Sequence, residues 1–322
     1  MSNSRAEPVR LVLRVGVAHV ITLIIPTRNR AHTLRLVAPS YFQQEGVTEI
    51  IFVSDAGTDD TPKVVEHIAN SYPQVALRFI VNERRQGASQ SRNVGVQQAT
   101  NDYILFCDDD EYLEPGYAQA CLRKLLDLNA GAVSGRRIYL ERDESTSEAL
   151  KRFANGLRHS RPFRYLICEF VNAAKFAGDI KLPLTNAVIL THKLLLQKYP
   201  YDPHYSRGNG YREESDFQMN LFVNGYDIYV TNECHSFHLP MSQVRSGGQR
   251  TRKSLRLYWS VHYTNYFFRK YYATYACRVG LKCSRSVAIG VFALFALYRE
   301  TLRPALYGCA RWMLQLRQRA TL

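Results

Sequence analysis

Apolar runs and polar punctuation alternate regularly through the first third of the chain. Ile21-Thr22-Leu23-Ile24-Ile25, closed by Pro26, reads as a buried strand. Glu49–Val53, Ala76–Val81 and Tyr103–Cys107 repeat the pattern, each rich in Ile, Val, Leu or Phe. Runs of that composition predict strands covered on both faces of a sheet. Between them lie amphipathic helical stretches, one predicted to begin with Thr61 as N-cap and Pro62 in its first turn. The β-α-β-α-β-α-β order predicts a doubly wound, mostly parallel α/β sheet, whose ligands bind beyond the carboxyl ends of the strands. Polar clusters stand at those ends: Pro26-Thr27-Arg28-Asn29, Ser54-Asp55 and Asp108-Asp109-Asp110. Residues 131–250 are less regular, with one helix predicted over about Glu213–Asn224 and closed by Gly225.

At 322 residues with 46% hydrophobic and 22% charged positions, the composition is that of a folded domain. The charge is more telling because it is unevenly placed. From Arg250 to Leu322 there are 14 Lys and Arg against one acid, Glu300, which accounts for +13 of the net +14. A near-neutral body with a basic tail differs from a uniformly basic nucleic-acid binder. Seven cysteines form no CxxC pair, and the odd number argues for a reducing compartment over a disulfide framework. The opening MSNSRAEPVR is polar, and Arg14 and His19 break the apolar stretch behind it, unlike a secretory leader.

The acidic triplet carries the clearest chemistry. Asp108, Asp109, Asp110 and the following Glu111 repel one another, and a packed site holds them only with a compensating cation. Oxygen-rich ligation suits Mg²⁺ or Mn²⁺ with diphosphate oxygens completing the shell. A solvated acidic turn capping a helix is the plain alternative. No GxGxxG follows the first strand, which disfavours a nicotinamide dehydrogenase.

IIPTRNR, VSDAGTDDT, NERRQGASQSRNVGVQQA and YILFCDDDE, in that order over residues 20 to 112, resemble the successive blocks of family-2 glycosyltransferases with the GT-A fold. A weaker likeness continues through TNAVIL and REESDFQMNLFVNGYDIYV to His238, about two thirds of the chain in all. The resemblance implies an inverting transfer from a nucleotide-sugar, UDP-linked above all, to a hydroxyl of a polysaccharide or lipid-linked glycan. It implies that Pro26, Thr27 and Arg28 line the nucleotide pocket, that Asp55 meets the base and that Arg92 stands near the nucleotide. Ser54 replaces one of two acids usual beside the base. The resemblance makes Asp108 a contact to ribose or metal, Asp110 the principal metal ligand, and Asp109 the variable middle position. Its register puts the base at Glu214, with Glu213 the neighbouring candidate, and His238 rather than His235 near the metal or diphosphate. A helix whose first-turn acids merely match the dipole is the alternative for Glu213 and Glu214.

Residues 1–19 then form an N-terminal extension. Residues 20–249 form the transferase domain, its nucleotide-binding half about 20–130 and its acceptor half about 131–249. Residues 250–322 form a helical basic region. Arg245-Ser246-Gly247-Gly248-Gln249-Arg250 reads as a lid or a linker. Nine aromatics between Leu257 and Tyr275, interleaved with Lys and Arg, suit a helix in an anionic headgroup region, or a subdomain packing on the core. The apolar run Val287–Tyr298 is too short to span a bilayer. Together these point to the cytoplasmic side of a membrane, with peripheral contact to it and no nucleic-acid partner. The competing functions are a nucleotide-sugar binding protein without turnover, which would lack the acids at 213 and 214, and a basic nucleic-acid or membrane binder, which leaves the acidic triplet unexplained.

Overall fold

The computed structural model describes residues 19–156, 161–244 and 252–302. The lid or linker reading of 245–250 lies outside them, as do most of the N-terminal extension and the end of the basic region.

Four parallel strands build one half of a nine-stranded sheet: β1 (Ile21–Thr27), β2 (Val47–Ser54), β3 (Ala76–Val81) and β4 (Tyr103–Phe106), in the spatial order β3-β2-β1-β4. Helices α1 (Ala31–Val37) and the short α2 (Pro39–Phe42) follow β1. Next in the crossovers come α3 (Thr61–Ala69) and α4 (Ala88–Gln98). Three details differ from the sequence expectation. β1 runs through Pro26, because β4 pairs with β1 only as far as Ile24 and leaves one side of Pro26 without a ladder. β3 is an edge strand, half exposed rather than covered on both faces. Thr61 is the first helical residue and not the cap; its hydroxyl donates to Asp59 and accepts from the Arg30 amide.

The other half of the sheet is mixed. β5 (Glu111–Leu113), α5 (Tyr117–Asp127), β6 (Ala132–Tyr139) and α6 (Thr146–Gly156) come next. They are followed by the two-stranded β7 (Phe163–Arg164) and β8 (Glu169–Phe170), then β9 (Ile180–Leu182), β10 (Ile189–His192) and α7 (Lys193–Lys198). Helix α8 (Glu213–Val223) and β11 (Ile228–His238) complete this half. Beyond β4 the order is β10-β6-β11-β5, with β9 also on β11. β10 is antiparallel to β4 and β6, while β6 and β11 are parallel. The antiparallel β10 thus joins two groups of strands that run the same way. The carboxyl ends of β1, β2, β4, β6 and β11 therefore face one cleft.

Gly95 has a positional reason. A Cβ there would lie 2.6 Å from Ile24 Cγ2, so only glycine lets α4 settle onto β1. Arg92 is three residues earlier on the same helix face and is aimed over the strand ends.

Helix α9 (Lys253–Val279) packs on α8, and α10 (Arg285–Leu297) packs back along α9. Of the nine aromatics expected to face lipid or core, Tyr263, Phe267, Phe268, Tyr271, Tyr272 and Tyr275 are buried. Several join the cluster under the sheet that contains Phe106, Tyr201 and Phe217. Removing such rings from water is worth about 1.5–3 kcal/mol each, so the aromatic face of this segment covers the body of the protein.

Candidate functional site

The acidic triplet leaves the end of β4 and turns into β5, so consecutive carboxylates fan out to different partners. Asp108 is gripped by two guanidiniums: Arg92 Nη2 at 3.1 Å and Arg137 Nη2 at 2.6 Å. Asp109 lies 3.1 Å from Arg30 Nε, and Asp110 is 3.8 Å from Arg30 Nη2. Glu111 points inward to Arg137 and to the Ser236 hydroxyl, which donates to it at 2.5 Å. Burial resists ionisation of Asp108, but Arg137 and Arg92 outweigh it and hold the carboxyl below its ordinary range. Asp109 goes the other way: burial, with Asp110 and Asp108 beside it, pushes it up to about 7 despite Arg30.

The two candidate bases sit at the start of α8, where Arg212 adopts a left-handed φ of 76°. That conformation is costly for a non-glycine residue and is held by an unusual set of contacts. The Arg212 guanidinium donates to the carbonyls of Cys168 and Ile167 and lies against the rings of Phe267 and Phe292. One turn on, Asp216 accepts from Lys270 of α9 at 2.8 Å and from the hydroxyls of Tyr205 and Tyr271. The C-terminal helices thereby fix the first turn of α8. Glu213 is buried in direct contact with Arg92. Its carboxyl is pushed up to about 8 by burial, with Glu214 and Asp108 adding to the effect and Arg92 opposing it. Glu214 is 3.5 Å from Arg92 and its side chain keeps 32% of its exposure. Glu214 opens to the cleft; Glu213 does not.

β11 alternates its faces, and this separates the two histidines. His235 binds Glu114 at 2.9 Å, whereas His238 turns Nε2 toward Asp110 Oδ1 at 3.5 Å. His238 Nδ1 lies 2.7 Å from the Leu239 carbonyl, which can only accept, so Nδ1 carries the proton. In the neutral ring Nε2 then offers its lone pair to the cleft, the arrangement typical of a metal-ligating histidine.

At the opposite end of the cleft Asp55 accepts from Gln86 N at 2.6 Å, Gly87 N at 2.9 Å and Asn82 Nδ2 at 3.3 Å. It therefore holds the loop between β3 and α4. Pro26 is the last residue but one of β1, the Thr27 hydroxyl lies against Asp109, and Arg28 is exposed at the rim. Asn29 and Ala56 flank this end with φ of 56° and 52°. The Asn29 side chain steadies its turn by accepting from Thr58 N at 2.7 Å.

Two site residues were not singled out from the sequence. Arg30 lies two positions past Arg28 and meets the triplet where Arg28 does not. Arg137 belongs to Gly135-Arg136-Arg137-Ile138, and consecutive arginines within an otherwise apolar strand are themselves a signal of paired buried charge.

Among the described residues no three His, Cys, Asp or Glu side chains converge on one point as a ready-made metal site. Six carboxyl groups (Asp108, Asp109, Asp110, Glu111, Glu213, Glu214) share three guanidiniums (Arg30, Arg92, Arg137), so acids outnumber guanidiniums even with Asp109 and Glu213 pushed toward the neutral form. Asp110 and His238 form a carboxylate–imidazole pair with a lone pair to spare. Hard divalent cations are commonly held by one or two carboxylates with substrate phosphates supplying the rest.

A mixed α/β sheet with an acidic strand end beside a carboxylate-led helix is consistent with the comparisons. Residues 22–181 match the model described as glycosyl transferase family 2, and they form a family-2 glycosyltransferase domain. Glycosyltransferase GlyG of Streptococcus pneumoniae is 21% identical over 79% of this chain and 80% of its own length. The alignments to the other first relatives span between 29% and 38% of those proteins. Among solved structures, S. aureus TarS 1-349 in complex with UDP-GlcNAc matches with a TM-score of 0.56 at 14% identity, over 87% of this chain and 73% of that one. The mannosyltransferase PcManGT from Pyrobaculum calidifontis, in complex with GDP-Man and Mn²⁺, matches with a TM-score of 0.54 at 17% identity, over 92% and 79%. The shared fold is GT-A.

Proposed function

We propose that the protein transfers a sugar from a nucleoside-diphosphate sugar to a hydroxyl of a glycan or lipid-linked glycan, with inversion at the anomeric carbon. The carrying observation is that Arg92 draws the partly exposed Glu214 of α8 and Asp108 of the acidic triplet together, in the same triplet whose Asp110 lies 3.5 Å from His238 Nε2. Asp110 and His238 would hold Mn²⁺ or Mg²⁺, which when bound neutralises charge growing on the departing diphosphate. Pro26, Thr27, Arg28 and the loop anchored by Asp55 would line the nucleotide end, for which UDP is the first candidate.

Asp108 and Arg92 act at one remove in this reading. Arg92 is buried under the carboxylates, so it sets the positions of Asp108, Glu213 and Glu214 rather than reaching the donor itself. Asp109 stays against Arg30. Glu214 takes the proton of the acceptor hydroxyl as that oxygen attacks the anomeric carbon. The bond from carbon to the phosphate oxygen breaks, and its electron pair leaves with the nucleoside diphosphate. One base suffices for this single displacement.

The test is transfer itself. UDP-, GDP- and dTDP-sugars are offered with Mn²⁺ and short oligosaccharide acceptors, and the product anomer is read by NMR. An inverted glycoside supports the reading. A product that keeps the donor's anomeric configuration, or no transfer from any donor, overturns it.

A further inference from the structure

The outer face of α10 has no partner among the described residues. Its inner face is fully covered: Ala288, Phe292 and Ala296 are buried against α9 and Ile167. The opposite face should be polar in an ordinary surface helix. Here Val287 is 53% exposed and Leu294 69%, and Leu297, Tyr298 and Leu302 are exposed as well. Positions 287, 294 and 298 follow helical spacing, and Gly290 between them has nothing within 4 Å of where its Cβ would lie. These residues form one apolar stripe along the helix.

Charge says what the stripe meets. Lys282 and Arg285 stand exposed at its start. At its far end the chain of α9 returns, because Arg256 Nε bonds Glu300 at 2.7 Å, and this brings the exposed Arg252 and Lys253 alongside. Glu300, the one acid from 250 to 322, is buried between Arg256 and Arg299 and contributes nothing outward. The other acid at this end, Glu169, is bound by Arg164 and Arg299, and an apolar stripe with cations at both ends complements an anionic lipid surface. Thirteen residues give a stripe about 20 Å long. At about 10 Å wide it offers roughly 200 Å², well short of the ~800 Å² per partner of a stable dimer. Among the described residues no helix is long and apolar enough to cross a membrane.

We infer that α10 docks the protein on anionic bilayers, its outer face lying in the headgroup region and the aromatic face of α9 serving the core instead. This inference is independent of the donor and metal assignments.

The test is co-sedimentation of the full chain with phosphatidylglycerol–phosphatidylethanolamine vesicles and with phosphatidylcholine vesicles. The wild type is expected to pellet with the first and not the second. V287E/L294E should weaken binding by at least about tenfold. K282Q/R285Q should weaken it by about fivefold per charge removed. Circular dichroism and the unfolding temperature of each variant establish that it is folded. The inference is overturned if the wild type stays in the supernatant, if it binds both vesicle types equally, or if V287E/L294E binds as the wild type does. It is also overturned if the wild type is a dimer in solution that V287E/L294E dissociates, since the stripe would then serve a second copy of the chain.

Discussion

Replacing Arg92 by Met tests whether one buried guanidinium organises the carboxylates. Arg92 is 2% exposed and contacts Asp108, Glu213 and Glu214. Methionine fills similar space without charge. Asp108 would keep Arg137, and Glu214 could turn to solvent, but Glu213 would be left buried without a cation. Breaking a buried pair by removing one partner costs about 3–5 kcal/mol, because the survivor is desolvated and uncompensated. Against a total stability of about 5–15 kcal/mol, that loss moves the urea midpoint by a large fraction. Glu213→Gln removes the stranded charge, so R92M/E213Q should recover at least about 2 kcal/mol relative to R92M plus E213Q taken separately. The assay is urea unfolding followed by circular dichroism at pH 9, above the pKa of about 8 at which Glu213 ionises beside Arg92, for the four proteins of the cycle. If R92M lies within about 1 kcal/mol of the wild type, or if the two single costs simply add, the guanidinium does not hold this cluster together.

Further outcomes follow from the same geometry. Glu214→Gln should retain nucleotide binding and lose about 10²–10⁴ in kcat, while Glu213→Gln should act mainly through stability; steady-state kinetics beside nucleotide titrations separate the two. His192 sits on β10 and burial lowers its pKa to about 4. The unfolded chain takes up that proton near pH 6.5 while the folded protein does not, so stability falls as pH drops from about 6.5 to 4, by up to about 3 kcal/mol from this group. Urea midpoints across that window should fall less steeply for His192→Gln than for the wild type. Gly95→Val should destabilise by several kcal/mol or fail to fold, since even a Cβ meets Ile24, and expression with unfolding curves reads this directly.

The parallel half of the fold was legible because each of its strands is a short run of Ile, Val, Leu and Phe ended by a polar cluster. The mixed half was not. β10 is Ile189-Leu190-Thr191-His192, and β6 carries two arginines, so neither shows the period of a strand. Their pairing is long-range and has no local signature. The site was legible as residue types in order, from Pro26 through Asp55, Arg92 and the triplet to Glu213, Glu214 and His238. Which of them meet is a matter of side-chain direction. Alternation along β11 divides His235 from His238, and the turn after β4 sends Asp108 to two arginines and Asp110 to His238. The basic aromatic segment showed what it was made of but not which way it faced. Its aromatics turned inward on α9 to cover the body, and the exposed apolar face lies on α10.

The proposed transfer requires a divalent cation shared between Asp110, His238 and a nucleoside diphosphate. Calorimetric titration of UDP, GDP and dTDP into the wild type and Asp110→Ala, with Mn²⁺ and with chelator, tests this directly. One of the three nucleotides should bind the wild type at least about tenfold more tightly with Mn²⁺, and Asp110→Ala should lose that gain while staying folded. Binding indifferent to Mn²⁺, or a Mn²⁺ gain that Asp110→Ala retains, would contradict it.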